Sequence, residues 1–405
     1  MPLQKAAYPP AVWKSASAII AKVRQDGDDA VSAFTKKFDG TTLEPADFEI
    51  SSSRQQKAFR RIPVGLQKSL ARAATRIRAF TDATRPDDKK WQDDFARFEW
   101  AWKPIGRVGC YVPGGKATYP SSALMTAVVA KALGCDVTVC TPPKPSDATL
   151  AACAIAGVDE LFQVGGAQAI AAMAYGTETI SAVDKIVGPG GMYVDAAKRI
   201  CARDVAIDFP AGPSELLCIA GKNADARQVA LDLVAQAEHD AAARAGVLAL
   251  DEATLEKINE ELGTIVSGAS RKTIIQKSLS QNGFAQVVSM QTAAGVANAL
   301  AFEHVALYGR AAALKEKITN AGVVYVDTPP ALGDYTLGSS HVLPTGGFAR
   351  SFGMLSAYDF LKPVVRVTRE KTGLEKDAAL IANSEGLFAH AASLETKLQG
   401  GTTGT

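Results

Sequence analysis

A chain of 405 residues with 44 basic and 42 acidic side chains, a formal net charge of +2 and 47% hydrophobic residues is long enough for more than one core and apolar enough to fold. The near balance of charge, with no run of five or more basic residues, excludes a nucleic-acid footprint. Uncharged stretches such as Ala117–Ala130 and Leu161–Thr177 carry Pro or Gly-Gly and are too short to span a bilayer, which excludes a membrane reading.

The first residues, MPLQKAAYPPAVWK, lack the basic and then apolar pattern of a secretory leader. Helices come first. Val12, Ile19, Ile20 and Val23 fall near one helical face, and Gly27 ends that run. Asp28 is expected to cap a second helix carrying Val31, Phe34 and Phe38 before Gly40. A longer helix follows Pro63, with Leu66, Leu70, Ile77 and Phe80 at core spacing, and stops by Pro86. From Gly106 short apolar runs alternate with helical segments. Strands are expected at Arg107–Val112, Asp136–Cys140, Leu161–Val164 and Lys185–Val187, and helices at Ser122–Leu133, Asp147–Ala156, Ala167–Tyr175 and Met192–Cys201. A second series has strands at Leu216–Ala220, Val247–Leu250, Ala285–Ser289 and Val323–Val326, with helices at Ala224–Glu238 and Ala253–Val266. Such alternation means βαβ units and mostly parallel sheets covered on both faces. The segment from about Lys362 is too short for a core of its own, and Gly400–Thr405 is expected to be disordered.

The six cysteines, Cys110, Cys135, Cys140, Cys153, Cys201 and Cys218, form no CxxC pair and read as reduced, packed thiols, which points to the cytoplasm. The four histidines, His239, His304, His341 and His390, all lie in the second half beside polar residues. Gln236 and His239 end an amphipathic helix. They are three apart and project from one face, which suits two ligands to one metal. An amide is an unusual zinc ligand, and an exposed polar helix end explains the pair equally well. Glu303-His304, adjacent at a helix end or loop, can divide acid–base work because environment moves their pKa values apart. A solvated turn is the ordinary reading. The loop Gly333–Gly347 presents Asp334 and His341 in glycine-rich irregular backbone that can approach a ligand closely. Glu385 and His390 add a carboxylate and an imidazole. In the first half, Tyr111-Val-Pro-Gly-Gly115, Gly165-Gly-Ala-Gln168 and Gly188-Pro-Gly-Gly191 sit where a helix N-terminus can meet a phosphate. None is GxGxxG with an acid about 20 positions on, and tight turns between strand and helix explain them as well.

Together these segments resemble the histidinol dehydrogenase family. The resemblance runs from VRQDGDDAV near the start through GRVGCYVPGGKATYPSSALM, VGGAQAIAAMAYGT, VDKIVGPG, AGPSELL, AQAEHD, the Glu-His pair and LGDYTLGSSHVLPTGG to EGLFAH. It implies an α/β fold with two incomplete Rossmann-like domains, small helical N- and C-terminal domains, and an intertwined homodimer. The implied division is 1–110 for the N-terminal helices and the start of the first α/β domain, 111–214 for the dinucleotide-binding domain, 215–361 for the domain carrying metal and catalytic residues, and 362–405 for a dimerisation tail. The implied zinc ligands, one ion per subunit, are Gln236, His239, Asp334 and His390, the last supplied across the dimer. Glu303 and His304 match the catalytic pair. Ser214, His341 and Glu385 match substrate contacts, as do Gln236, His239, His304, Asp334 and His390. Tyr111, Gln168 and Gly191 match positions that contact NAD. The implied reaction is the four-electron oxidation of L-histidinol to L-histidine with two NAD used in turn.

The chain departs from the family pattern at four places. Gly191 stands where Asn is usual, Phe302 where Pro precedes Glu-His, and Ser340 where Asn precedes His, and Val305–Tyr308 lacks the usual acid. Two alternatives follow: a paralogue oxidising another small alcohol such as a sulfonated diol, and a zinc hydrolase using Glu303 as base.

Overall fold

The computed structural model describes residues 8–114 and 118–399. Gly115, the last residue of the segment Tyr111-Val-Pro-Gly-Gly, and Gly400–Thr405 lie outside the described residues. The chain forms two compact units, one running to Arg85 and then over Ile105–Phe360, the other made of Pro86–Pro104 and the chain from Leu361.

In the first unit the helical run Pro10–Asp39 breaks at Gly27, whose φ of 54° only glycine adopts freely. Its capping differs from the expectation. Asp28 is buried and its carboxylate accepts from the Thr179 hydroxyl, while its N–H donates to Glu178 Oε2 at 2.9 Å. A carboxylate distant in sequence therefore serves the helix start that the local reading gave to Asp28. Val64–Thr84 buries Leu70, Ala73, Ala74 and Ile77 as spaced in the sequence. Ser52–Arg61 is a further helix, capped by the Ser51 hydroxyl and too polar for an apolar period to reveal it.

Two five-stranded sheets follow. The first contains β1 (Arg107–Tyr111), β2 (Asp136–Cys140), β3 (Glu160–Phe162), β4 (Lys185–Val187) and β5 (Ala206–Ile207), all parallel, in the order β3-β2-β1-β4-β5. The second contains β6 (Glu215–Ala220), β7 (Arg244–Ala249), β8 (Phe284–Val287), β9 (His304–Tyr308) and β10 (Val323–Val326), again all parallel, in the order β8-β7-β6-β9-β10. Both halves thus repeat the Rossmann-like order, and in both the chain reverses direction beside the first strand. Helices cover the strands, and β6 and β9 are buried along their whole length. Full burial is why they read as continuous apolar runs rather than as alternating ones.

The second unit has a three-stranded antiparallel sheet of Lys89–Gln92, Ala96–Pro104 and Leu361–Arg369, which the sequence reading did not separate from its neighbours. Its helices Glu375–Ser384 and Phe388–Gln399 meet through Ala379, Ala382 and Ala391. Val364, Val365, Val367, Leu380, Ile381 and Phe388 stay exposed.

Candidate active site

The helix Met290–Leu300 stops at Ala301 in left-handed backbone, φ 50°, and the chain turns directly into β9. Glu303 and His304 therefore open a buried central strand, and the solvated turn of the ordinary reading is not found. Both are 5% exposed. An acid and an imidazole survive there because their polar atoms are engaged. Glu303 Oε2 accepts from the Glu215 N–H at 2.8 Å. His304 Nδ1 lies 3.2 Å from the Glu215 carbonyl oxygen, so Nδ1 carries the proton and donates it there. Nδ1 is also 3.6 Å from Glu303 Oε2. The Tyr325 ring lies nearly parallel to the imidazole, at 15° and 6.1 Å between centroids.

His304 Nε2 faces Asp334 Oδ1 at 3.5 Å, too long for a good hydrogen bond. Both atoms are buried without a hydrogen-bond partner among the described residues, as is Gln236 Nε2. Burial alone pushes the His304 pKa down, but Glu303 and Asp334 reverse this and hold it well above the usual imidazole value. Burial alone raises the Asp334 carboxyl, and His304, with His341 and His239, holds it below the usual carboxylate range.

Asp334 sits in the short helix Pro330–Tyr335, whose Gly333 passes so close to the Tyr325 hydroxyl that no Cβ fits there. The Asp334 carbonyl accepts from His341 Nδ1 at 2.9 Å, and His341 Nε2 reaches Ser122 Oγ at 3.2 Å. His341 so ties the loop to the helical segment over residues 120–132. Gln236 is buried in the last turn of the helix Ala226–Ala237. His239 is exposed and follows that helix in a turn, its N–H donating to the Gln236 carbonyl at 3.4 Å. Because the helix ends before His239, the same-face argument from spacing does not hold, although the charge of His239 still reaches Asp334. Ser214 immediately precedes β6 and its carbonyl accepts from the Arg244 N–H at 2.9 Å. Glu385 and His390 belong to the second unit and are exposed there. Among the described residues no three His, Cys, Asp or Glu side chains converge as a metal group. The first unit offers one imidazole, one carboxylate and one amide, donor types that a zinc ion accepts.

Tyr111, Gln168 and Gly191 gather at the carboxyl edge of the first sheet. Tyr111 is buried at the end of β1 and its hydroxyl accepts from the Gly166 N–H at 3.1 Å. Gln168 is buried in the helix Gly166–Tyr175. Gly165 and Gly191 begin their helices with no cap from a side chain of their own, and apart from the Gly166 N–H held by Tyr111 this leaves N–H groups for an anion. Gly188 has φ 115°, and a Cβ there would lie 2.3 Å from the Tyr111 carbonyl oxygen. Only glycine lets these two strand ends approach so closely. A Cβ at Gly191 meets nothing within 4 Å.

Four polar residues at the two sites escaped the sequence reading. Lys198 and Asp208 form a buried pair that grips Gly188: Lys198 Nζ donates to its carbonyl and Asp208 Oδ2 accepts from its N–H, both at 2.8 Å. Glu215 and Arg244 flank the Glu303–His304 pair. The signal available for Glu215 was an acid opening the apolar run ELLCIA, which when buried must find a partner.

The model of the family described as "Histidinol dehydrogenase" matches residues 4–398. A histidinol dehydrogenase of Aquifex aeolicus is 42% identical over 95% of this chain and 92% of its own length. One of Methanopyrus kandleri is 42% identical over 94% and 92%. The crystal structure of histidinol dehydrogenase from Elizabethkingia anophelis superposes with a TM-score of 0.91 at 33% identity, covering 98% of this chain and 94% of that one. An acetylating aldehyde dehydrogenase from Geobacillus thermoglucosidasius, at TM-score 0.51 and 13% identity, shares the fold alone. On sequence over nearly its full length and on structure alike, the chain belongs to the histidinol dehydrogenase family.

Proposed function

We propose that this dehydrogenase oxidises L-histidinol to L-histidine, with NAD as hydride acceptor and one zinc ion per subunit. The observation that carries the reading is the buried Glu303–His304 pair, ordered by the main chain of one residue of β6, Glu215, beside a carboxylate and an amide with unpartnered buried atoms. The orphaned Asp334 Oδ1 fits a cation, since a buried acceptor without a partner is costly, and the Gln236 amide fits one when turned to present its oxygen in place of Nε2.

Gln236, His239 and Asp334 would hold the zinc, with His390 completing the set from the second unit of a partner subunit. When bound, the ion would fix the substrate's nitrogen atoms and take up the charge of Asp334. The chain's own residues supply the rest. His304 keeps Nδ1 on the Glu215 carbonyl, so Nε2 is the atom that takes and returns protons. Glu303 is the base for the water that adds to the aldehyde-level intermediate. Ser214, His341 and Glu385 would contact the substrate. NAD would lie across the carboxyl edge of the first sheet, its phosphates toward the uncapped helix starts at Gly165 and Gly191, beside Tyr111 and Gln168.

The domain limits expected from the resemblance, at 110, 214 and 361, are kept in this reading, except that Pro86–Pro104 belongs with the chain from Leu361. The exposed apolar side chains of the second unit support a homodimer with a shared site, because such surface on a small unit calls for a partner. All six cysteines are buried and unpaired, which supports a reducing, cytoplasmic setting. No helix among the described residues is long and apolar enough to cross a membrane. The departures fall outside the acid–base pair: Phe302 packs edge-on to Phe284, the Ser340 hydroxyl accepts from the Val342 N–H, and Gly191 is open. None favours a different substrate.

The test is growth of a histidine auxotroph that lacks the last step of histidine synthesis. Expression of this chain should restore growth without histidine, and failure with folded protein present would contradict the reading.

A further inference from the structure

Glu215 opens an otherwise apolar strand and is 2% exposed. Both carboxyl oxygens are engaged. Oε1 accepts from Arg244 Nη1 at 2.9 Å, and Oε2 accepts from the Gly346 N–H at 3.1 Å. Arg244 faces Glu215 in the register of β6 and β7, and its guanidinium carbon lies 4.7 Å from the centre of the Phe302 ring. Phe302 is fully buried and directly precedes Glu303. A guanidinium on an aromatic face is an attractive contact, and one that Lys reproduces poorly. Arg244 thereby joins the Glu215 side chain to the segment that delivers the catalytic pair.

The main chain of the same residue grips that pair from both sides, its N–H on Glu303 and its carbonyl on His304. One residue thus orients the carboxylate and selects the imidazole tautomer. We infer that Glu215 is a positioning residue for Glu303 and His304, its carboxylate tied to Arg244 and Gly346 so that its own peptide groups hold the two side chains in reacting geometry. The inference rests on the assignment of Glu303 and His304 as the acid–base pair. Burial pushes the Glu215 carboxyl up to about 7, with Arg244 opposing and Glu303 adding, so the anchor is complete in alkaline solution.

Glu215→Gln is the direct variant. Glutamine has one acceptor oxygen and one NH2, so either Arg244 or Gly346 is left facing a donor. In full-length, zinc-loaded protein in alkaline buffer, kcat on histidinol should fall about ten- to a hundredfold, the scale of a small misplacement of reacting groups. KM and zinc content should stay within about twofold, because ground-state binding is not what is lost. The His304 Nδ1–H proton resonance, assigned by its absence in His304→Gln, should be sharp and protected from exchange in the wild type and broadened in Glu215→Gln. A lower melting temperature with kcat and that resonance unchanged would overturn the inference and leave Glu215 a purely structural ion pair. If wild-type protein does not turn over histidinol, the proposed function fails, while the resonance comparison still decides the positioning role. Should Glu215→Gln not fold, Arg244→Lys keeps the charge and loses the flat contact with Phe302. It should lower kcat about three- to tenfold and broaden the same resonance, and wild-type values for both would overturn the inference.

Discussion

His304 has what an acid–base group needs at the atomic level: a fixed orientation, an acceptor for its Nδ1–H, and an Nε2 left without a hydrogen-bond partner. Replacing it should remove proton transfer and little else. His304→Gln is expected to bind zinc like the wild type and to lose about 10²- to 10⁴-fold in kcat, the usual worth of a positioned acid–base group. Loss of zinc along with activity, measured by metal analysis, would contradict this. Glu215 makes a second prediction, on stability. Its carboxyl sits at about 7 in the folded chain against 4.5 as the ordinary value. Over that range the folded state holds a proton that the unfolded state has released, so stability falls as pH rises, by at most ~1.4 kcal/mol per pH unit. Glu215→Gln should flatten that part of a urea-unfolding profile, and an unchanged slope would refute the assignment. At this scale the sequence was readable by residue type. The acid and imidazole of Glu303-His304 were visible as a candidate pair, but not their burial, because an acid and a histidine at a strand start break the apolar pattern that marks a strand. Glu215 and Arg244 were invisible as partners because they meet only through the register of β6 and β7.

At the scale of elements, the βα alternation was legible where strands are short apolar runs between helices. Asp136–Cys140, Lys185–Val187 and Val323–Val326 have the limits read from the sequence. The strands of the small antiparallel sheet were not legible, since Lys89–Gln92 and Leu361–Arg369 are almost wholly exposed and rich in charge. The glycine turns carry the next prediction. Gly191 begins the helix Met192–Cys201 with no side-chain cap and open space around it. Asn is a strong N-cap residue and would bring a polar side chain to the edge where NAD is proposed to lie. Gly191→Asn should lower KM for NAD about two- to tenfold with kcat unchanged, as a gain in uniform binding would. A raised KM would show that the dinucleotide comes closer to this backbone than a side chain permits. Gly188 should tolerate no such change, because its place beside the Tyr111 carbonyl leaves no room for a Cβ.

For the whole molecule, the two α/β halves share one strand order but use opposite edges. The candidate cofactor residues lie at the carboxyl ends of β1, β3 and β4, whereas Ser214, Glu303 and His304 lie at the amino ends of β6 and β9. His390 and Glu385 sit on the small second unit, and under the shared-site reading they serve a partner subunit. Mixing two inactive variants tests this. His304→Gln and His390→Ala subunits, dissociated and reassociated together, should regain about a quarter of wild-type activity, because half the dimers would be mixed and each would hold one intact site. No recovery despite demonstrated subunit exchange would place both residues in the same subunit's site. The central claim, oxidation of histidinol through both stages at one site, is tested most directly by counting NADH formed per L-histidinol consumed by the zinc-loaded enzyme with excess NAD. Two NADH for each histidinol, with histidine as the product, is the predicted result. No NADH from folded, metal-loaded protein, or one NADH with the aldehyde accumulating, would contradict it.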